Sequence, residues 1–404
     1  MSTIELKKKI KLISMIGVGL HKYGTNAQRL EASLKFISNY LGLKGHFFTT
    51  PTYLAISIDS DDEQFSRHMR VTPAGADLEK LQELDSIANA ICLGGLSIDE
   101  AIKQIQELED RPSSYGHGVL FLAYGLTSTA LCAILKGGTN ELILSFILGS
   151  IVGILAIFKI RSPKISDIFE FLSAFTVMIC CYLAYHFQFQ FSFQIVLISS
   201  LIVIVPGLGL TIAMTELATQ HLVSGTARLM GAMIDFFKIS FGILLGVEVG
   251  KLLLGNLPMI EATPLGNYYI IPATILAALS FTVIFNAKKK DFIWVLLSGI
   301  VTIGALNLCL TFFNQTLSVF ISAFIIGLFS NLFARIRQRP AAITLLPGII
   351  FLVPGSVGLK GLNLIFQEDF IAGLSGGFQM LIVAISIVAG LFLANVALNP
   401  RKNL

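Results

Sequence analysis

The sequence predicts a polytopic α-helical membrane protein: ten transmembrane helices as two inverted five-helix repeats, preceded by a small α/β soluble domain. Three observations predict it. The 404 residues are 54% hydrophobic, with a mean hydropathy of +0.77. Charge is crowded at one end, where residues 1–111 hold 28 of the 54 Asp, Glu, Lys and Arg. A water-soluble core does not explain so long a charge-poor remainder, because surface grows with size, whereas a bilayer does. Finally, two long apolar runs, "LIVIVPGLGLTIA" at 201–213 and "IIFLVPGSVGLKG" at 349–361, are each broken by proline and glycine.

Residues 1–112 read as the soluble head. The start, "MSTIELKKKIKLISMIGVGLHKYG", has lysines but only a short apolar stretch and no small-residue cleavage site, so a secretory signal is not expected. "NAQRLEASLKFISNYLGL", 26–43, places apolar residues at 30, 34, 37 and 41, a helical period with Asn26 as its cap and Gly42 as its stop. "HFFTTPTYLAISI", 46–58, is β-rich around Pro51, and "QFSRHMRVTP", 64–73, is its hairpin partner across the turn "DSDD". Helices follow at about 77–92 and 98–109, the second capped by Ser97 with Glu100 at the capping-box position. The head carries 13 basic and 15 acidic residues, net −2, which is no nucleic-acid footprint. His21, His46 and His68 show no ligand spacing, and the five cysteines form no CxxC pair. No metal, cofactor or disulfide framework is expected.

Beyond "DRPSS" the spans fall at roughly 117–136, 140–159, 168–187, 193–217, 228–251, 268–286, 292–313, 316–334, 341–364 and 373–397, each near the ~20 residues that cross the hydrocarbon. Basic residues set their orientation. With the head cytoplasmic, inside segments carry Lys159, Arg161, Lys164, Arg228, Lys288, Lys289, Lys290, Arg335, Arg337, Arg339, Arg401 and Lys402, which is 12 of the 16 basic residues beyond position 111. The outside turns "HFQFQFS", "FNQT" and "QED" carry none. That alternation suits ten spans with both termini cytoplasmic.

A shift of the chain by 148 residues lays Val205-Pro206-Gly207 on Val353-Pro354-Gly355, "TQHLVSG" on "QEDFIAG", and Gly242 on Gly390. The halves become 113–264 and 265–404. Five spans per repeat turn the second copy upside down, an arrangement of secondary transporters. Proline removes a helix N–H and loosens the preceding turn. Unpaired backbone groups are costly in lipid but tolerable where they line a cavity. The breaks therefore read either as simple kinks or as one midplane cavity, with Pro206, Gly207, Gly209, Pro354, Gly355, Lys360 and Asn363 as candidate lining.

Ionisable residues at depth are candidates for proton coupling or gating. Asp235 and Lys238 share a helix face in the fifth span, where mutual neutralisation is the alternative reading. Glu216 and His221 lie at the inner mouth, and Asp369 is the second-copy equivalent of His221. Glu248 and Lys251 repeat the three-residue spacing near the outer end and read as snorkelling side chains. The sequence has no GxxxxGK[ST], HExxH or GxSxG, so no enzymatic activity is expected.

"LHKYGTNAQRLEASLKFISNYLGL" at 20–43, "TTPTYLAISI" at 49–58, "RVTPAGADLEKLQELDSIANAICLGGLSIDEAIKQIQEL" at 70–108, "PGLGLTIAMTELATQHLVSGTARL" at 206–229 and "LVPGSVGLKG" at 352–361 resemble, in order and spacing, the threonine/serine exporter family of bacterial and fungal membrane proteins. The resemblance implies export of threonine and serine from the cytoplasm across the inner membrane, driven by the proton gradient, with two membrane halves fused in one chain. The family's first half often carries an acid where this chain has His221, and histidine titrates near neutrality. The expected partners are an amino-acid substrate, the bilayer and a second copy of the chain. The alternatives are transport of another small solute, an ion channel, or a membrane scaffold or sensor whose head binds a partner.

Overall fold

The computed structural model describes residues 3–60, 63–72, 75–257, 260–353, 355, 357, 358, 361 and 370–399. The head opens with helix α1 (Thr3–Lys22), which the short apolar stretch at the N-terminus did not suggest. Its Leu12, Ile13, Ile16 and Leu20 are among the most buried residues of the head. Helix α2 (Ala27–Tyr40) starts where expected, with the Asn26 side chain accepting the Arg29 N–H. Three strands, β1 (Lys44–Thr50), β2 (Tyr53–Ser60) and β3 (Glu63–Arg70), make an antiparallel meander in the order β1-β2-β3. Pro51 lies in the turn that divides the predicted 46–58 run into β1 and β2. Leu54, Ile56 and Ile58 alternate inward along β2 and join the helices' core. Helices α3 (Leu78–Cys92) and α4 (Ile98–Asp110) complete the head, and the Ser97–Glu100 capping box is present.

The membrane half is all helix among the described residues. It runs α5 (His117–Ile134), α6 (Thr139–Arg161), α7 (Pro163–His186), α8 (Phe193–Leu201), α9 (Gly207–Ala218), α10 (Leu222–Leu254), α11 (Ile270–Ile284), α12 (Phe292–Leu310), α13 (Gln315–Arg337), α14 (Ala342–Ile349) and α15 (Phe370–Ala397). Seven of these stretches are long and apolar enough to cross a membrane, and α9 and α11 are shorter apolar helices. The predicted span 193–217 is thus two helices, parted at 202–206.

One packing contact recurs in both halves. A Cβ on Gly242 of α10 would meet the Phe171 carbonyl, the Ala174 Cβ and the Phe175 nitrogen of α7 at 2.5, 2.9 and 3.1 Å. One on Gly390 of α15 would meet the Phe320 carbonyl, the Ala323 Cβ and the Phe324 nitrogen of α13 at 2.4, 2.9 and 2.9 Å. Both glycines let a long helix approach the backbone of its neighbour, and both neighbours offer the same Phe-x-x-Ala-Phe surface.

The head does not hang free. Its core runs into Phe281, Phe285 and Ala287 at the end of α11. The first amides of α3 continue that helix: Leu78 and Glu79 donate to the Phe285 and Asn286 carbonyls at 2.9 and 3.0 Å. Two helices abutting this way satisfy the orphan donors of one with the orphan acceptors of the other. Asn286 Nδ2 also donates to Asp77, and Lys288 pairs with Glu83 at 2.7 Å.

Candidate functional site

The site begins at Pro206. With no N–H there, the helix started by α8 cannot continue, and its last turn tightens: Ile204 and Val205 both donate to the Leu201 carbonyl, at 2.9 and 3.2 Å. Gly207 donates to the Val205 carbonyl at 2.8 Å, and α9 restarts with Leu210 bonded to Pro206. Among the described residues, the carbonyls of Ile202, Val203 and Ile204 receive no hydrogen bond, and the first amides of α9 at Leu208 and Gly209 find no acceptor. Acceptors and donors are freed within one short stretch.

The second break repeats the first at the 148-residue offset. Leu352 and Val353 both donate to the Ile349 carbonyl, at 2.7 and 3.1 Å. The two breaks then meet. A Cβ on Gly207 would lie 1.9 Å from Val353 Cγ1 and 3.3 Å from the Gly355 nitrogen, and one on Gly355 would lie 2.7 Å from Val205 Cγ1. Each glycine receives the valine that precedes the other's proline position. Only glycine permits that approach. Gly209, two residues on, has no atom within 4 Å of its Cβ position and faces open space. A cavity of about 290 Å³ lies beside the second break, lined by Phe351, Leu352, Val353 and Val357 with Gln315 at its edge. Pro354, Lys360, Asn363 and Asp369 lie outside the described residues.

Asp235 and Lys238 belong to a larger network. Lys238 Nζ is 3.6 Å from Asp235 and 3.5 Å from Glu170 of α7, and Glu170 is 3.0 Å from Lys159 of α6. Glu170 is buried, while Asp235 is partly open. Lys159 also sits 4.5 Å above the Phe169 ring. Phe236, next to Asp235, packs against Gly358 beyond the second break. The sequence reading missed Glu170. Its signal was a lone carboxylate three residues into the predicted third span.

At the end of α9, Glu216 is 0% exposed. It accepts the Ala27 N–H of α2 at 2.9 Å, the Ser224 hydroxyl at 2.8 Å, and Arg228 at 3.2 and 3.3 Å. His221 Nε2 lies 3.5 Å from Glu31 of the head, whose other oxygen accepts the Thr49 N–H at 2.8 Å. Burial raises the Glu31 carboxyl above its usual range, against the pull of the Thr49 amide and His221. His21 Nε2 donates to the Thr50 carbonyl at 3.1 Å, and burial lowers its imidazole below the ordinary value. Glu216 and His221 are thus brought together with head residues that the sequence did not link to them, and Asp235 sits in a separate network.

The chain resembles several known proteins. It is 27% identical to Pheromone-regulated membrane protein 10 of Zygosaccharomyces rouxii over 437 residues, covering 98% of this chain and 43% of the relative. It is 27% identical to the protein of that name from Candida albicans over 407 residues, covering 94% and 37%, and 24% identical to that of Eremothecium gossypii over 429 residues, covering 98% and 57%. The chain therefore spans only about half the length of the relatives it matches, or less. No solved structure matches it. The family model ThrE, a threonine/serine exporter, matches residues 11–250, and a second, "Threonine/Serine exporter, ThrE", matches 271–397. With both halves matched in order around paired helix breaks, the chain belongs to the threonine/serine exporter family.

Proposed function

We propose that the chain is a secondary transporter, not an enzyme, that exports threonine and serine from the cytoplasm in exchange for protons. The reciprocal seating of Gly207 on Val353 and of Gly355 on Val205 carries this reading. Inverted repeats that rock against each other place such a contact at their shared axis. Ten spans follow if α8 with α9, α11, and α14 with the segment after it each cross once, beside the seven long helices. The head (1–112) and both termini then face the cytoplasm, and the repeats 113–264 and 265–404 lie in the inner membrane.

The breaks are closed on each other here. When they part, the free carbonyls of Ile202, Val203 and Ile204 accept the ammonium of the solute, and the first amides of α9 take its carboxylate. Pro206, Gly207 and Gly209 line one side of the cavity, and Pro354, Gly355, Lys360 and Asn363 the other. Asp235 carries the coupled proton, and Glu216, His221 and Asp369 gate its path.

The test is release of threonine and serine from cells loaded with a dipeptide of either. A strain lacking the gene should retain both, and the complemented strain should release them. Equal release from the two strains contradicts the substrate assignment.

A further inference from the structure

We propose that a cavity at the far end of the first half is a second solute site, an outward-facing vestibule that receives a zwitterionic α-amino acid once it has passed the breaks. The inference rests on the exporter reading and adds a site to it. The cavity encloses about 1110 Å³ among α7, the start of α8, the end of α10 and the segment after α10. Lys136, Glu248, Lys251 and Glu261 line it, with Tyr182 and Gln194. Lys251 lies thirty residues along α10 from His221, roughly 45 Å by helical rise, so the cavity opens at the end opposite the head.

Two ammonium groups and two carboxylates from three separate stretches of chain face one space. Their charges sum to zero. A net cation or anion would meet as much repulsion as attraction there, whereas a zwitterion offers each sign a partner. The fixed pair is loosely made: Glu248 and Lys251 are 3.9 Å apart, with side chains 65% and 49% exposed. Exposed pairs of this kind hold each other weakly, so each can exchange its partner for a solute group. Below the charges, Met178 and Val247 give an apolar wall suited to a side-chain methyl.

Packing of the helix does not require these charges. At the 148-residue offset Glu248 and Lys251 correspond to Val396 near the end of α15 and Asn399 just beyond it, and α15 packs its Gly390 as α10 packs Gly242. The same helix frame is therefore built without them in the second half. The volume exceeds what one serine fills, so the site holds a hydrated solute at low affinity, as release to the outside requires.

The test uses the full chain with Glu248→Gln and Lys251→Gln together, both at exposed positions. Counterflow of radiolabelled serine is measured in right-side-out and inside-out membrane vesicles. The vestibule predicts that the apparent affinity at the outer face falls about tenfold, as for loss of a charged contact, while the inner-face affinity is unchanged. Equal loss at both faces, or no loss at either, overturns the vestibule. An unchanged outer-face affinity with less phospholipid copurifying would assign the cavity to lipid and also overturn it. Wild-type vesicles that exchange neither serine nor threonine overturn the exporter reading, and this inference with it.

Discussion

The carboxylate of Glu216, at the inner end of the broken fourth span, accepts the backbone N–H of Ala27 at 2.9 Å, so a bundle side chain caps the first turn of a head helix. The other head helix facing the bundle, α3, is capped by the end of α11. The two caps fall on different halves of the bundle. The head is therefore joined to both halves of the bundle, at Ala27 and Leu78 through residues that are buried.

Glu216→Ala removes acceptors for Ala27 and Ser224 and strands Arg228 beside a buried space. Breaking a buried pair on one side costs about 3–5 kcal/mol. We expect the head to undock while the bundle stays inserted. Hydrogen exchange should then rise at Ala27–Leu30 and stay low in α10. Unchanged protection at those amides would show that α11 alone holds the head.

Gly207→Ala forces a methyl into Val353 and should cost about 1–3 kcal/mol by overpacking. It should also abolish transport, because the breaks can no longer close. Gly209→Ala meets nothing within 4 Å and should leave stability unchanged. Any transport lost in Gly209→Ala then reports contact with solute. Thermal stability and transport measured on both variants separate packing from binding.

Much of this was legible in the sequence. Proline and glycine at 206–207 announced the parting of α8 from α9, because a missing N–H acts locally. The capping residues Asn26 and Ser97 are local too, and both act as caps. The partners of Glu216 and Asp235 were not legible, because Ala27, Glu31 and Glu170 reach them only through the tertiary fold. Helix α1 was missed because its buried face fills from strands and helices far along the chain, leaving a weak local pattern. The closeness of Gly207 to Val353 was implied by the repeat, but its reciprocity needed coordinates.

Asp235→Asn should abolish gradient-driven efflux and leave serine exchange intact, since exchange moves no net proton. Lys238 keeps a second partner in Glu170, so the fold should survive. Proteoliposomes with and without an imposed pH gradient separate the two activities. Full gradient-driven transport by the variant would leave Asp235 as a counter-ion of Lys238.

His21 gives the head junction a pH dependence. Its folded value is below the ordinary 6.5, because burial disfavours the charged ring. The unfolded chain then binds the proton first as pH falls. Stability from neutral His21 is complete above about pH 6.5 and is lost as pH falls from there through the folded value. His21→Gln should flatten the melting temperature between about pH 7 and 5 relative to wild type. An identical slope in both proteins would place the titrating group elsewhere.

If the paired breaks move a small amino acid against its gradient at the expense of protons, the purified chain should do so by itself in a lipid bilayer. The most direct measurement is accumulation of radiolabelled threonine and serine in proteoliposomes holding the purified chain, under an imposed pH gradient of either sign. Accumulation above protein-free liposomes is expected for one sign only, lost on adding a protonophore and absent in Gly207→Ala. Accumulation no greater than in protein-free liposomes under either sign would rule out proton-driven transport by this chain.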